Sequence, residues 1–302
     1  MPPVVAVPEP HEPRPLGPFT IGPLAFGCWR FGSQPVSEAR ALIDAALAAG
    51  MNLIDTADIY GDAFGQAEEL LGRVLAGGSS LRDGMVLATK GGIRPGTPYD
   101  SSATYLRQAC EDSLRRLRAD TIDLYQIHRP DLFAHPAEVA ETLTELHAAG
   151  KVRSVGVSNY TVAQTQALAR YLPSEVPFVA TQPQFSAVVL DPIFDGTLDL
   201  CCTTGIRPLA WSPLAGGALA RADAGDVRPE LIGVLDELAD REGVDRASVA
   251  IAWVLHHPSR PVAIVGTQRP ERVGTSTTAL AVRLDRVDLY RIFEASTGTP
   301  LP

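Results

Sequence analysis

The chain has 302 residues, 45% of them hydrophobic and 20% charged, a balance that suits one large α/β barrel or two smaller globular domains. A formal net charge of −9 argues against a general nucleic-acid binder, which carries a basic patch, although a local arginine cluster can still meet a small anion. No stretch approaches the length of an apolar membrane span, and the N-terminus lacks the basic-then-apolar order of a signal peptide.

Residues 1–18 hold seven prolines and little apolar periodicity, which predicts a flexible Pro-rich leader. From Ile21 onward short apolar runs alternate with helical patterns. The predicted strands are 24–28, 52–55, 85–89, 122–127, 152–157, 178–181, 207–210 and 262–265. Amphipathic helices are predicted at 37–49, 66–75, 102–117, 137–149 and 162–172. Ser37 followed by Glu38 suits a helix start, and Gly50 and Gly150 sit where left-handed helix ends favour glycine. The stretch 230–256 reads as two helices before the eighth strand, one of them an insertion. Eight strand–helix alternations without an internal linker predict a (β/α)8 TIM barrel with an N-terminal extension and extra helices near the C-terminus, residues 19–302 forming one domain. Functional groups are then expected at the C-terminal ends of the strands.

Those ends carry chemistry. The second strand runs into Asp55-Thr56-Ala57-Asp58-Ile59-Tyr60, the third into Thr89-Lys90-Gly91 and the fourth into Gln126-Ile127-His128-Arg129. Neighbouring parallel strands lie about 5 Å apart, so an acid, a phenol, an amine and an imidazole can meet. Lys90 is one of only two lysines, with Lys151, among 26 basic residues, a mild hint that an ammonium is needed there. Such a group suits protonation of a carbonyl oxygen while hydride reaches its carbon. Tyrosine, with an ordinary pKa of about 10, is a reluctant acid. A nearby ammonium is expected to lower that value, a carboxylate to keep the ammonium charged, and a histidine to orient the carbonyl.

With these residues the sequence resembles the aldo-keto reductase superfamily, from Gly22 to Thr299, and within it a bacterial NADPH-dependent oxidoreductase subgroup. The resemblance implies catalytic roles for Asp55, Tyr60, Lys90 and His128. The string Val152-Arg153-Ser154-Val155-Gly156-Val157-Ser158-Asn159-Tyr160 and the segment from Phe194 to Asp199 are also family-like. Competing nicotinamide enzymes leave other signatures: no G-x-G-x-x-G follows the first strand, and no tyrosine precedes a lysine by four residues. The resemblance instead implies NADPH or NADP+ lying across the barrel mouth. Ser158, Asn159 and Gln182 then hold the carboxamide, and Trp211 stacks on the nicotinamide. Ser212, Pro213, Leu214 and Gly216 surround the pyrophosphate, with Gly27 and Trp29 near the ribose. At the adenine end a turn with Gly266, Thr267, Arg269 and Arg272 suits a phosphate, Arg272 matching the 2′-phosphate clamp. Thr275-Ser276 departs from the Glu-Asn that many relatives carry there.

Trp29, Arg129 and Phe185 are candidates for the substrate pocket, each with a packing or surface reading beside it; Arg30 invites the same caution. Cys28, Cys110, Cys201 and Cys202 contain no C-x-x-C pair and suit free thiols, no metal centre being expected. The expectation is a cytoplasmic enzyme, monomeric by default, acting on a small carbonyl compound without nucleic-acid or membrane partners. Two alternatives stay open: an NADPH-binding regulatory or redox-sensing barrel with little turnover, and an alcohol or sugar dehydrogenase running the reverse reaction.

Overall fold

The computed structural model describes residues 9–302, apart from the side chains of residues 79 and 80. Two short strands come first, β1 (Arg14–Leu16) and β2 (Phe19–Ile21). Eight parallel strands follow: β3 (Leu24–Gly27), β4 (Leu53–Asp55), β5 (Val86–Gly91), β6 (Ile122–Ile127), β7 (Val152–Ser158), β8 (Phe178–Gln182), β9 (Arg207–Ala210) and β10 (Val262–Val265). They close in chain order, β10 pairing with both β9 and β3. Around them lie α1 (Val36–Ala48), α2 (Gln66–Ala76), α3 (Ser79–Asp83), α4 (Ala103–Leu117), α5 (Pro136–Ala148) and α6 (Val162–Tyr171). Later come α7 (Asp191–Phe194), α8 (Thr197–Thr204), α9 (Pro229–Glu242), α10 (Arg246–Leu255), α11 (Pro270–Thr275) and α12 (Arg286–Thr297). All eight expected barrel strands form, and 230–256 does hold two helices, α9 and α10.

Side-chain caps start several helices, but α1 begins at Val36 after Pro35 with no side-chain cap, not at the expected Ser37. Thr161 and Gln164 close a reciprocal capping box on α6, and Asp285 and Asp288 close another on α12. Along the strands, alternation sorts side chains between two cores. Leu53, Val86, Ala88, Leu124, Ala180 and Leu209 fill the barrel interior, whereas Ile54, Leu87, Tyr125 and Ala210 face the helices. The same parity sends Asp55, Lys90, Gln126, Gln182 and Trp211, each two residues beyond an interior position, inward above the apolar layer. The interior is therefore oily below and polar at the C-terminal end. β5 runs two residues further than expected because Lys90 and Gly91 pair with Gln126 and Ile127.

The leader needs correction. Residues 1–8 lie outside the described residues, but Arg14–Leu16 pairs antiparallel with Phe19–Ile21, so a flexible leader does not reach residue 18. Gly17, with φ +55°, supplies the positive φ of the two-residue turn. A Cβ there would also lie 2.4 Å from Val179 Cγ1, so glycine serves close packing as well. Leu16 and Ile21 are buried in the interior cluster and close the barrel floor. Proline density hid a strand of three residues. Leu16→Ala should therefore cost about 2–5 kcal/mol in urea unfolding, as for a core leucine; an unchanged midpoint would restore the leader reading.

Candidate active site

The inward polar layer converges on Lys90. Its ammonium donates to Asp55 Oδ2 at 2.7 Å, to the Thr56 carbonyl at 2.8 Å and to the Tyr60 hydroxyl at 3.2 Å. An ammonium has three N–H bonds, so this one is fully used. The side chains of the Lys90–Asp55 pair are 0% and 3% exposed. Asp55 Oδ1 accepts from Gln182 Nε2 at 3.0 Å and from Gln126 Nε2 at 3.4 Å. Every charge here has a partner, as a buried ion pair requires.

The chain path explains the five-residue step from Asp55 to Tyr60. Beyond β4, Thr56 N–H donates to Ala88 O at 2.9 Å and Asp58 N–H to Lys90 O at 3.1 Å, so the segment climbs β5. Tyr60 N–H then donates back to Ala57 O at 3.2 Å, which brings the ring over Lys90, with Nζ 4.8 Å from its centroid. His128 N–H donates to Gly91 O at 2.8 Å just past β6. Its ring stands edge-on to Tyr60, centroids 5.7 Å apart and planes at 80°. The four expected groups thus meet.

Electrostatics at the site differ from expectation in one sign. Burial pushes the Tyr60 hydroxyl above its ordinary pKa; Lys90 opposes this but does not overcome it. Burial also disfavours the Lys90 ammonium, yet Asp55 and Tyr60 together hold its pKa above the ordinary lysine value. Burial first, then repulsion from Lys90 and Arg129, drives His128 well below the usual histidine range, so its imidazole is neutral at pH 7. Its Nδ1 is buried without a partner among the described residues.

The residues expected to hold a cofactor continue the same network. Trp211 Nε1 donates to Asn159 Oδ1 at 3.0 Å, Asn159 Nδ2 to Ser158 Oγ at 2.7 Å, and Ser158 Oγ to Gln182 O at 2.9 Å. A hydrogen-bonded path therefore joins Trp211 on one side of the mouth to Tyr60 on the other. The loop after β9 is backbone-strained, with positive φ at Ser212 and Ala215 as well as at Gly216. Pro213 is buried and Leu214 half-buried beside it, and Gly216 N–H donates to Ser212 Oγ at 2.7 Å. Gly27 lies against Ile264, where a Cβ would come within 2.8 Å of Cγ2; a Cβ on Gly266 would approach Gly27 O at 3.4 Å. Thr267 Oγ1 accepts from Arg269 N–H at 3.3 Å. Arg269 and Arg272 are exposed and form no ion pair among the described residues. The hydroxyls of Thr275 and Ser276 donate to Arg272 O, so these departures from the family pattern serve the helix itself.

Of the three substrate candidates, Trp29 is exposed at the rim, with Arg30 5.7 Å over its ring, and Arg129 is half-buried beside His128 without an ion pair among the described residues. Phe185 is a correction. It is 1% exposed and packs on Trp253 and His257 at 5.6 and 6.1 Å, so its ring belongs to the core outside the barrel. Gln126 was overlooked. The available signal was strand parity, since it stands two residues before His128 and opposite Lys90.

Comparisons with known proteins agree with this geometry. A family model described as the aldo/keto reductase family matches residues 23–296. A 6-dehydroglucose reductase of Novosphingobium aromaticivorans is 46% identical over 282 residues, covering 91% of both chains. A 6-dehydroglucose reductase of Agrobacterium fabrum is 34% identical, covering 89% of this chain and 92% of that protein. The structure of a glycerol dehydrogenase from Gluconobacter oxydans superposes with a TM-score of 0.82 at 27% identity, covering 96% of this chain and 97% of that one. Members of the family generally use nicotinamide cofactors and act on small carbonyl compounds. Among the described residues no helix is long and apolar enough to cross a membrane. The chain belongs to the aldo/keto reductase family of oxidoreductases.

Proposed function

We propose that this protein is an NADPH-dependent reductase of a sugar-derived aldehyde or ketone, with Tyr60 as the proton donor. The observation that carries the reading is the three-way hold on Lys90. Because the Tyr60 hydroxyl accepts from Lys90 at 3.2 Å, its own proton is free for another acceptor. Burial keeps that proton in place at neutral pH. Lys90 contributes as the proton leaves, since a unit charge about 3 Å from a forming phenolate is worth on the order of 5 kcal/mol at an effective dielectric of about 20. Asp55 and the Thr56 carbonyl keep the ammonium charged and stationary. Neutral His128 stands at the edge of the Tyr60 ring, where it can hydrogen-bond the same carbonyl oxygen.

The residues present fit a nicotinamide cofactor. Trp211 is half-buried and its indole is fixed through Nε1, which suits stacking. Gln182 donates through its amide nitrogen and so keeps its carbonyl oxygen for a carboxamide. A Cβ at Gly216 would meet nothing within 4 Å, leaving room for a ligand over Ser212, Pro213 and Leu214. Arg272, with Arg269, offers a guanidinium without an ion pair among the described residues for a 2′-phosphate, which favours NADPH over NADH. When bound, the cofactor supplies the hydride. Near the ring Gly27 and Ser158–Asn159 shape the floor, and Gly266 with Thr267 turns the chain toward the adenine end.

The names of the two 6-dehydroglucose reductases suggest the substrate class, and Arg129 and Trp29 are the side chains at the mouth proposed to meet it. Four cysteines kept as free thiols, Cys28, Cys110 and Cys201 buried and Cys202 exposed, support a cytoplasmic setting.

A carbonyl panel that includes 6-dehydroglucose, followed by NADPH absorbance, tests the reading. Turnover is expected with sugar-derived carbonyls. Tyr60→Phe should lose on the order of 10²- to 10⁴-fold in kcat while still quenching its fluorescence on binding NADPH; full turnover in that variant would remove Tyr60 from its role.

The two pKa directions set a pH profile. His128 stays neutral above its lowered pKa, and Tyr60 keeps its proton below its raised one. Reductive kcat/KM should then be level from about pH 7 to 9 and fall only on the alkaline side. A limb near pH 6.5 would contradict a neutral His128.

For cofactor choice, Arg272→Leu should raise the KM for NADPH about tenfold or more and leave NADH nearly unchanged. Equal effects on both would place the 2′-phosphate elsewhere.

A further inference from the structure

Around the turn that carries Tyr60, three buried carboxylates meet two cations. Asp55 is ion-paired with Lys90 at 2.7 Å, and Glu68 of α2 is ion-paired with Arg116 of α4 at 2.7 Å. The second oxygen of Glu68 accepts from Thr89 Oγ1 at 2.5 Å. Asp58 is the third carboxylate. It is fully buried, and both its oxygens are closed to water and without a hydrogen-bond partner among the described residues.

The charges acting on Asp58 are Glu68 from α2, Arg116 from α4 and Lys90 from β5; the adjacent Ile59 N–H is the weakest influence. Both cations are already committed to another carboxylate. Tyr105 of α4 and Tyr125 of β6 also lie in this region, and burial holds both hydroxyls above the ordinary tyrosine pKa, so neither carries charge at neutral pH. Counting charges therefore leaves one carboxylate over. A carboxylate with neither counter-charge, hydrogen bond nor water is so unfavourable that it takes up a proton instead. Burial first, then repulsion from Glu68, pushes the Asp58 carboxyl well above the ordinary aspartate range.

The backbone of the same residue closes the turn. Asp58 N–H donates to Lys90 O at 3.1 Å, and Asp58 O accepts from Gly65 N–H at 2.6 Å. Gly65 is the N-cap of α2, so one residue ties the loop to β5 at its start and to α2 at its end. Tyr60 lies within the loop, its own carbonyl accepting from Ala67 N–H at 3.0 Å. An anion at position 58 would be repelled by Glu68 and drawn toward water, against both ties.

We propose that Asp58 is a positioning residue for Tyr60 that works as a neutral carboxylic acid, sealed beside the Glu68–Arg116 pair and holding the catalytic turn on Lys90. The proposal rests on the role given to Tyr60 above. Asp58 acts through the turn and not on the substrate.

A carboxyl held above its unfolded pKa of about 3.9 contributes stability that is complete below that pH and is lost as pH rises toward the folded pKa. Asp58→Asn, close in shape and uncharged, removes that dependence. In urea unfolding of the full chain, the unfolding constant of the wild type should rise relative to Asp58→Asn by up to tenfold per pH unit from about pH 4 upward, about 1.4 kcal/mol each. A ratio that is flat or falls between about pH 4 and pH 7 would overturn the neutral acid. Infrared spectra of the wild type at neutral pH need no variant: the C=O stretch of an un-ionised carboxylic acid should be present, and its absence would be equally decisive. For positioning, Asp58→Ala should lower kcat on the order of 10- to 100-fold with little change in the KM for NADPH, while Asp58→Asn keeps at least about half of it. Equal losses in the two variants, or none in Asp58→Ala, would remove Asp58 from that role. The unfolding and infrared readouts need no turnover, so failure of the reductase reading is told apart from failure of the acid.

Discussion

The whole mouth of the barrel is organised by one buried ammonium. Placing Lys90 in the interior is unfavourable unless its charge and all three N–H bonds are met, and each partner comes from a different constraint. Asp55 arrives by strand parity, the Thr56 carbonyl by the turn out of β4, and Tyr60 by the climb of that turn along β5. Two glutamines then steady the carboxylate from β6 and β8. Loss of Asp55 would leave the ammonium without its counter-charge, and loss of Tyr60 or the Thr56 carbonyl would leave one N–H without an acceptor. The site is thus a single electrostatic unit rather than four independent side chains.

That unit was largely legible in the sequence because it depends on periodicities. Strand spacing of two and the fixed Asp55-to-Tyr60 step survive without knowledge of tertiary packing. His128 was legible for the same reason, lying at the next strand end. Features set by packing across the fold were not. Phe185 follows a strand end as a pocket residue would, yet Trp253 and His257 draw its ring outside the barrel. The β1–β2 hairpin is too short to show a pattern, and its partners are distant in sequence.

The sign of the Tyr60 shift was also hidden. Reading residues in order identifies Lys90 as a neighbour, but it gives no measure of how much water the fold removes. Desolvation of the phenol wins here over the favourable charge. A donor that keeps its proton until an acceptor arrives suits reduction, and the adjacent ammonium matters most once the phenolate begins to form. The same division holds at the cofactor end. Ser158, Asn159 and Trp211 were found by resemblance, while the bonds that tie them to Gln182, and through it to Asp55, emerge only when the strands are assembled.

The closed floor bears on how protons travel. Leu16 and Ile21 fill the lower interior, and an apolar layer separates them from Lys90. All three ammonium protons point at Asp55, Thr56 and Tyr60. Isotope exchange between Lys90 and bulk water must then proceed from above, with the phenol as its gate. With the hairpin closing the far end of the barrel, the half-buried Tyr60 is the one of the three Lys90 partners that reaches toward solvent, since Asp55 and Thr56 are buried with the ammonium.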